Sequence, residues 1–371
     1  MATGFGIIGC GLISKFHAKA IADAADAELV ACYDTVTEAA DRLAEATGCK
    51  AYHSLEAMLA DPRVEVVTIA TPSGAHMEPA VAAARAGKHV VVEKPLEITL
   101  ARCDAIIEAC RQADVVLSTI FPSRFHESSQ LLKRAVDQGR FGRLVLGDAY
   151  VKWWRTQQYY DSGAWRGTWE LDGGGALMNQ AIHSVDLLLW LMGPVVEIRA
   201  QTALLGHERI AVEDVAVATL RFANGALGVI EASTAVYPGY LKRIEIHGTR
   251  GSAVMEEEDI VKWDFAEEVA EDAAIRERME QRLSGGGGAA DPAAIGHHGH
   301  ARQFTDVLQA IRTGKSPLID GPEGRRSVEV ILGIYLAAER GEPVRLPLAS
   351  DPVLNARTHG VGGLKKAGCV G

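Results

Sequence analysis

Gly6-Ile7-Ile8-Gly9-Cys10-Gly11-Leu12-Ile13-Ser14 decides how this chain is read. An apolar run ends at two glycines spaced by one residue, and a helical segment, Lys15 to Ala25, opens directly behind them. Gly9 suits a tight turn, and Gly11 removes a side chain where the backbone must approach a ligand. The unpaired N–H groups of the helix start then seat a pyrophosphate, with Leu12 and Ile13 beside it. Ser14 stands where a third glycine is common and is still small enough for close helix–strand packing. The turn reads as a dinucleotide-binding fingerprint.

The residues on either side support that reading. Glu28 to Tyr33 is a second strand, and it ends at Asp34, slightly beyond the usual spacing of about twenty residues. A carboxylate there accepts hydrogen bonds from ribose hydroxyls and repels a 2′-phosphate. Thr35-Val36-Thr37 supplies no cation to offset it, so NAD is expected over NADP. Helix and strand signals then alternate: Thr37–Thr47 closed by Gly48, Val64–Ala70, Glu78–Ala86, His89–Val92, Leu100–Ala113 and Val115–Phe121. Runs such as Val66-Val67-Thr68-Ile69-Ala70 suit strands covered on both faces. The expected fold is α/β, with an N-terminal Rossmann domain over residues 1–125.

Val91-Val92-Glu93-Lys94-Pro95-Leu96 places a lysine where a buried strand is stopped by proline. Lys94 therefore sits at the carboxyl edge of the sheet, where open α/β folds bind ligands. From about Phe125 the pattern changes to β-like runs with helices set apart, the mark of an α+β domain over 126–349. Its strands are expected at Arg143–Arg155, Val195–Leu205, Asp214–Phe222, Ala226–Ala235, Lys242–His247 and Ser252–Glu257. Asn224-Gly225 is a hairpin signal between two of them. Ser284–Gly288 reads as a flexible loop, and 350–371 as a tail without periodicity.

A second dense stretch, Asp172-Gly173-Gly174-Gly175, opens a helix from Leu177 to Met192. Asn179, His183 and Asp186 fall at i, i+4 and i+7 on one face, with Ile182, Val185, Leu188 and Leu189 facing a core. His183 is either a core histidine bonded to Asp186 or a residue lining a cavity. His297, His298 and His300 read as part of a glycine-rich loop and not a metal centre, since no acid or cysteine flanks them at ligand spacing.

Net charge of −10 over 371 residues argues against nucleic-acid binding. The 48% hydrophobic content suits a globular core, no run approaches the ~18 residues of a membrane span, and no signal peptide is visible. Six scattered cysteines without a C-x-x-C pair suit reduced thiols in the cytoplasm.

The glycine turn, Ala70-Thr71-Pro72-Ser73 with His76, Glu93-Lys94-Pro95 and G-G-G-x-L-x-N-x-x-x-H-x-x-D occur in that order over about residues 4 to 345. In this the chain resembles the Gfo/Idh/MocA oxidoreductases, named for glucose–fructose oxidoreductase and inositol dehydrogenase. The resemblance implies a Rossmann domain, an open-faced and largely antiparallel second sheet, and a nicotinamide cofactor. It implies that Lys94 and His183 are catalytic and that Thr71, Pro72, His76, Glu93 and Lys94 join Gly9, Gly11, Leu12, Ile13 and Asp34 around NAD. Many members carry Asp where this chain has Asn179, which removes a charge that would raise the histidine's pKa.

The chemistry these residues permit is hydride transfer from a secondary alcohol, with His183 or Lys94 as the base. Trp153, Trp154, Tyr159, Tyr160, Trp165 and Trp169 crowd one stretch with Arg155 and Arg166, a composition suited to pyranose rings. Arg155, Tyr160, Trp165, Arg166, Asn179 and His183 are the expected substrate residues, for a sugar, glycoside or cyclitol. Two other readings are a glycosidase-like enzyme working by transient C3 oxidation with recycled NAD, and a non-catalytic sensor. Val215, Val217 and Thr219 form a second face on a strand whose first face is Ala216, Ala218, Leu220 and Phe222. A homodimer or homotetramer is expected to cover it.

Overall fold

The computed structural model describes residues 2–280 and 297–354. Ser284–Gly288, Cys369 and the tail from residue 355 lie outside the described residues. The chain divides into two compact units, residues 1–134 with 295–329, and residues 135–294 with 330–371. The linear boundaries at 125 and 349 are thereby corrected. Residues 295–329 belong with the first unit, because Phe304, Val307 and Leu308 complete its core around Phe5, Ile7, Ile21 and Val91.

The first unit carries β1 (Thr3–Ile8), α1 (Ser14–Asp23), β2 (Ala27–Tyr33), α2 (Thr37–Thr47), β3 (Lys50–Tyr52), α3 (Leu55–Leu59), β4 (Val66–Ile69), α4 (Met77–Arg85), β5 (His89–Val92), α5 (Leu100–Gln112), β6 (Leu117–Thr119) and α6 (Glu127–Asp137). All six strands pair in parallel in the order β3-β2-β1-β4-β5-β6. The order reverses at β1, so the connections leaving the carboxyl ends of β1 and β4 run to opposite sides, the place where such sheets bind ligands. β4 is buried at every position, as a strand covered on both faces requires. β3 and α3 escape a reading by periodicity because each is too short. Even so, Ser54 caps α3 by accepting the Ala57 N–H at 3.2 Å.

The second unit holds β7 (Leu144–Lys152), α7 (Gln157–Asp161), a single π turn (Ala176–Ala181) running into α8 (Ile182–Met192), β8 (Val195–Ala203), β9 (Val215–Phe222), β10 (Leu227–Ser233), β11 (Arg243–Gly248), β12 (Gly251–Glu256), β13 (Asp259–Phe265) and α9 (Ala270–Glu280). The chain closes with α10 (His298–Thr313), α11 (Gly321–Arg340) and β14 (Val344–Arg345). Eight strands pair in the order β13-β12-β11-β7-β10-β9-β8-β14, antiparallel except for β7 with β10. The hairpin at Asn224-Gly225 forms, with Gly225 at φ 87° and the Asn224 carboxamide accepting from the Ala226 N–H. α8 packs on the inner face: a Cβ on Gly147 would meet the Met192 sulfur at 2.6 Å. Ala216, Ala218, Leu220 and Phe222 are buried, whereas Val217, Thr219 and Arg221 face outward.

Candidate active site

In the first unit the glycine turn is built as its spacing implies. Gly9 takes φ 92°, and a Cβ on it would lie 2.7 Å from the Ala70 carbonyl, so β4 can close against the turn only if that residue is glycine. Gly11 meets nothing within 4 Å, which leaves its surface open. Ser14, fully buried, donates to the Gly11 carbonyl at 2.6 Å and ties the turn to the start of α1. Leu12 is exposed and Ile13 half-buried. Asp34 accepts the Cys10 N–H at 2.7 Å through one oxygen and the Val36 N–H at 2.8 Å through the other. Its carboxylate thus fixes the turn and, with two lone pairs on each oxygen, keeps capacity for further donors. Together, the open Gly11 surface, the α1 N-terminus and Asp34 fit a dinucleotide.

Lys94 is half-buried between the buried Glu93 and Pro95 at the end of β5. Glu93, expected among the cofactor contacts, turns inward instead. It takes His17 Nε2 at 2.7 Å and the Lys94 N–H at 3.1 Å, with His300 Nε2 at 3.7 Å. Burial alone would raise the Glu93 pKa, but the two imidazoles hold it well below the usual carboxylate range. A carboxylate accepts, so His17 donates from Nε2 while its Nδ1 meets the Thr68 hydroxyl at 2.8 Å. Glu93 therefore anchors the backbone from which Lys94 projects.

Histidine 17 was missed because one histidine on an apolar helix face carries no periodic signal, although it lies one turn beyond Ser14. The loop reading of the three late histidines is corrected too. His298 and His300 belong to α10, and His300 is buried against Glu93. The ligand atoms of His17, Glu93 and His300 lie within 4.8 Å of one another. The Glu93 oxygen, however, is already engaged by the His17 N–H.

His76 is likewise internal, its ring nitrogens meeting the Pro95 carbonyl at 2.9 Å and the Thr71 carbonyl at 3.0 Å. Burial lowers its pKa and favours the neutral ring. Thr71 donates to the Ala75 carbonyl, and Pro72 beside it is half-buried. These residues shape the end of β4, and only Thr71 and Pro72 retain partial exposure.

In the second unit the triple glycine admits the protein's own side chains. A Cβ on Gly175 would lie 1.8 Å from the Glu213 carbonyl oxygen, and one on Gly174 would lie 2.1 Å from the Tyr335 hydroxyl. The buried Glu213 carboxylate accepts the Gly175 N–H at 2.9 Å, the Leu177 N–H at 2.8 Å and the Tyr335 O–H at 3.0 Å. Burial pushes its pKa up to about 7 despite these donors. Nothing in the sequence marked Glu213, since an acid at a strand start normally faces solvent.

The turn that follows is π rather than α, so Asn179 precedes His183 by less than a full turn. Asn179 and His183 still share a partly exposed side, so the expected three-residue polar face is corrected only at its third member. Asn179 donates to Asp172 and accepts from Gln180 at 2.9 Å. Asp186 is fully buried. From Asp172 to Leu189 every residue is buried except Asn179 and His183, which are half-exposed.

Around that stretch runs a polar network. Arg155, buried, donates to Gln180 Oε1 at 3.0 Å and to the Trp154 carbonyl, and stacks over Trp153. Gln180 donates to the Tyr159 hydroxyl at 2.9 Å, and Arg166 donates to the same oxygen at 2.6 Å. Arg166 lies between the rings of Tyr159 and Trp165. Tyr160, expected at the substrate, is buried with its hydroxyl 2.8 Å from that of Thr234 and its ring against His207. Its neighbour Tyr159 takes the place in the network. The two rings meet edge to face at 5.2 Å, yet only Tyr160 is buried, and composition alone does not show which of two consecutive tyrosines faces the core.

The residues 3–121 match the model of the oxidoreductase family with an NAD-binding Rossmann fold, and 129–254 match the Gfo/Idh/MocA C-terminal domain. This chain belongs to the Gfo/Idh/MocA oxidoreductase family. A myo-inositol 2-dehydrogenase of Thermotoga maritima is 34% identical over 66% of this chain and 73% of its own. The solved WlbA dehydrogenase of Bordetella pertussis, in complex with NADH and UDP-GlcNAcA, is 39% identical with a TM-score of 0.86, covering 94% of this chain and 98% of that one. A levoglucosan dehydrogenase solved with NADH and L-sorbose is 26% identical with a TM-score of 0.81, covering 94% and 100%.

Proposed function

We propose that this protein is an NAD-dependent dehydrogenase acting on a ring secondary hydroxyl of a sugar or cyclitol, with Lys94 and His183 serving the reacting hydroxyl. The observation that carries the reading is the exposure pattern of 172–189, where a buried turn and helix leave only Asn179 and His183 reaching outward. A histidine and a carboxamide kept accessible on such an apolar element suit hydroxyl recognition and proton transfer. Relatives that oxidise inositol or bind sugars with NADH support the substrate class.

Bound NAD⁺ supplies the hydride acceptor. His183 takes the hydroxyl proton, and the Lys94 ammonium holds the same oxygen and stabilises its developing charge. Glu93, fixed by His17, sets the backbone of Lys94, and Gln180 holds Asn179 through its carbonyl. The test is incubation with NAD⁺ and a panel of inositols, pyranosides and sugar acids, following NADH and locating the oxidised carbon by NMR. Tight NAD binding with no NADH would overturn the reading, in favour of a sensor if the sugars are unchanged and of an enzyme that recycles NAD if a glycoside is consumed.

Two further properties belong to this proposal. The protein self-associates through the outer face of the second sheet, where Val217 is 46% and Leu227 50% exposed. A monomeric mass by light scattering at micromolar concentration would contradict this. The free thiols of Cys10, Cys32, Cys49, Cys103 and Cys110 suit a reducing cytoplasm. No helix among the described residues is long and apolar enough to cross a membrane.

A further inference from the structure

Arg166 holds its charge in an unusual way. Its guanidinium carbon lies 4.4 Å from the Tyr159 ring centre and 4.5 Å from that of Trp165, so it is packed against two aromatic rings. One N–H reaches the Tyr159 hydroxyl at 2.6 Å. No carboxylate pairs with it among the described residues. Nearby Arg209, by contrast, closes on Asp161 at 2.7 Å, although both of those side chains are largely exposed. The carboxylate closest along the network, Asp172, is buried and turned inward to the Gly167 N–H and to Asn179.

The two ring contacts and the bond to Tyr159 restrain the guanidinium, and four of its five N–H donors remain for other partners. A planar fork matches a carboxylate or phosphate better than a hydroxyl. The network also sets where that fork lies in relation to the chemistry. Arg166 joins Tyr159, Tyr159 joins Gln180, and Gln180 joins Asn179, which with His183 forms the accessible part of the helix. Arg166 thus belongs to the same constellation as the reacting groups, while Tyr159 and Gln180 separate it from them.

We propose that Arg166 receives an anionic substituent of the substrate, so that the sugar oxidised is a sugar acid or a phosphorylated sugar rather than a neutral polyol. The proposal rests on the dehydrogenase reading above and adds the charge of the substrate to it. Tyr159 and Trp165 act as positioning residues that restrain the fork.

The experiment compares matched pairs in the NAD⁺-loaded enzyme: glucuronate with glucose, glucose 6-phosphate with glucose, and UDP-GlcNAcA with UDP-GlcNAc. The first pair isolates a ring carboxylate, the second a phosphate, and the third a carboxylate on a nucleotide sugar. At least one charged member should exceed its neutral partner in kcat/KM by tenfold or more. In Arg166→Gln that ratio should fall at least tenfold, mainly through KM. Arg166→Lys, which keeps the charge without the fork, should recover part of it and guards against a variant that merely fails to fold. Equal use of charged and neutral members by the parent enzyme, or a ratio unchanged by Arg166→Gln, overturns the proposal while NADH formation leaves the dehydrogenase reading intact. If no pair yields NADH, the thermal shift of the NADH-loaded protein is read instead. A larger shift with charged ligands that Arg166→Gln abolishes supports the proposal, and equal shifts overturn it.

Discussion

Two glycine turns dominate this molecule, and they use the same residue for opposite ends. At Gly9-Cys10-Gly11 the missing side chains leave one position wedged against Ala70 and the other open, with nothing within 4 Å of a Cβ on Gly11. At Gly173-Gly174-Gly175 the space is filled from inside, by the Glu213 carbonyl and the Tyr335 hydroxyl. The first turn is shaped for something that arrives, and the second for something already in the chain. A run of glycines before a helix is therefore ambiguous until it is known what occupies the space.

Substitution separates the two cases most sharply. Gly175→Ala must displace backbone 1.8 Å away, and no rotamer can relieve that contact. It should cost on the order of 3 kcal/mol or more, read as a large fall in the denaturation midpoint or as loss of soluble protein. Gly11→Ala should fold with near-normal stability yet bind NAD⁺ at least tenfold more weakly. A Gly175→Ala protein as stable as its parent would break the comparison.

The acid beneath the second turn makes that turn sensitive to pH. Burial penalises the Glu213 charge and lifts its pKa to about 7 in the fold, against an ordinary value of 4.5. Between those values the folded state holds a proton that the unfolded chain has lost. Stability from this group is thus complete below about pH 4.5 and declines as pH rises through 7, by on the order of 3 kcal/mol. Chemical denaturation from pH 4.5 to 8 should show a steeper decline in the parent than in Glu213→Gln. Parallel profiles would mean that Glu213 is ionised throughout.

How much of this was legible beforehand follows from the same contrast. Several elements of the first unit could be read to the residue, such as α2 at Thr37 and Thr47 and β5 at His89 and Val92, whereas β3 and α3 were too short to show. Its buried parallel strands and capped helices carry strong local signals. The second turn could be located but not interpreted, because Glu213 and Tyr335 come from 38 and 160 residues further along the chain. The same holds for His17 and His300, which meet Glu93 only through the fold. Asn179 and His183 keep a common accessible side, but Asp186 is buried, and apolar spacing does not show where the polar stripe ends.

Each unit contributes one candidate catalytic residue, and both should be separable from cofactor capture. Lys94→Ala and His183→Ala should each lower turnover by about a hundredfold or more. NAD⁺ affinity should change little, because Gly9, Gly11 and Asp34 are the residues proposed to hold it. Both quantities are to be measured in parallel, by steady-state kinetics and by calorimetric titration. A variant with near-normal turnover would mark its residue as structural.

The smallest effect should come from Asp34, which serves the first turn twice. Its two oxygens accept the Cys10 and Val36 N–H groups, and the same carboxylate is the one expected to meet the ribose hydroxyls. Asp34→Ser with Thr35→Arg removes the repulsion of a 2′-phosphate and adds a cation for it. The NAD⁺/NADP⁺ affinity ratio should fall by about tenfold or more. The two N–H groups lose a charged acceptor, so stability should also drop, by about 1 to 2 kcal/mol. Titration of both nucleotides and thermal unfolding of the variant test the two roles separately. A changed preference without lost stability would mean that Asp34 recognises the cofactor but does not hold the turn. Lost stability with an unchanged preference would mean that it holds the turn and that selectivity lies elsewhere.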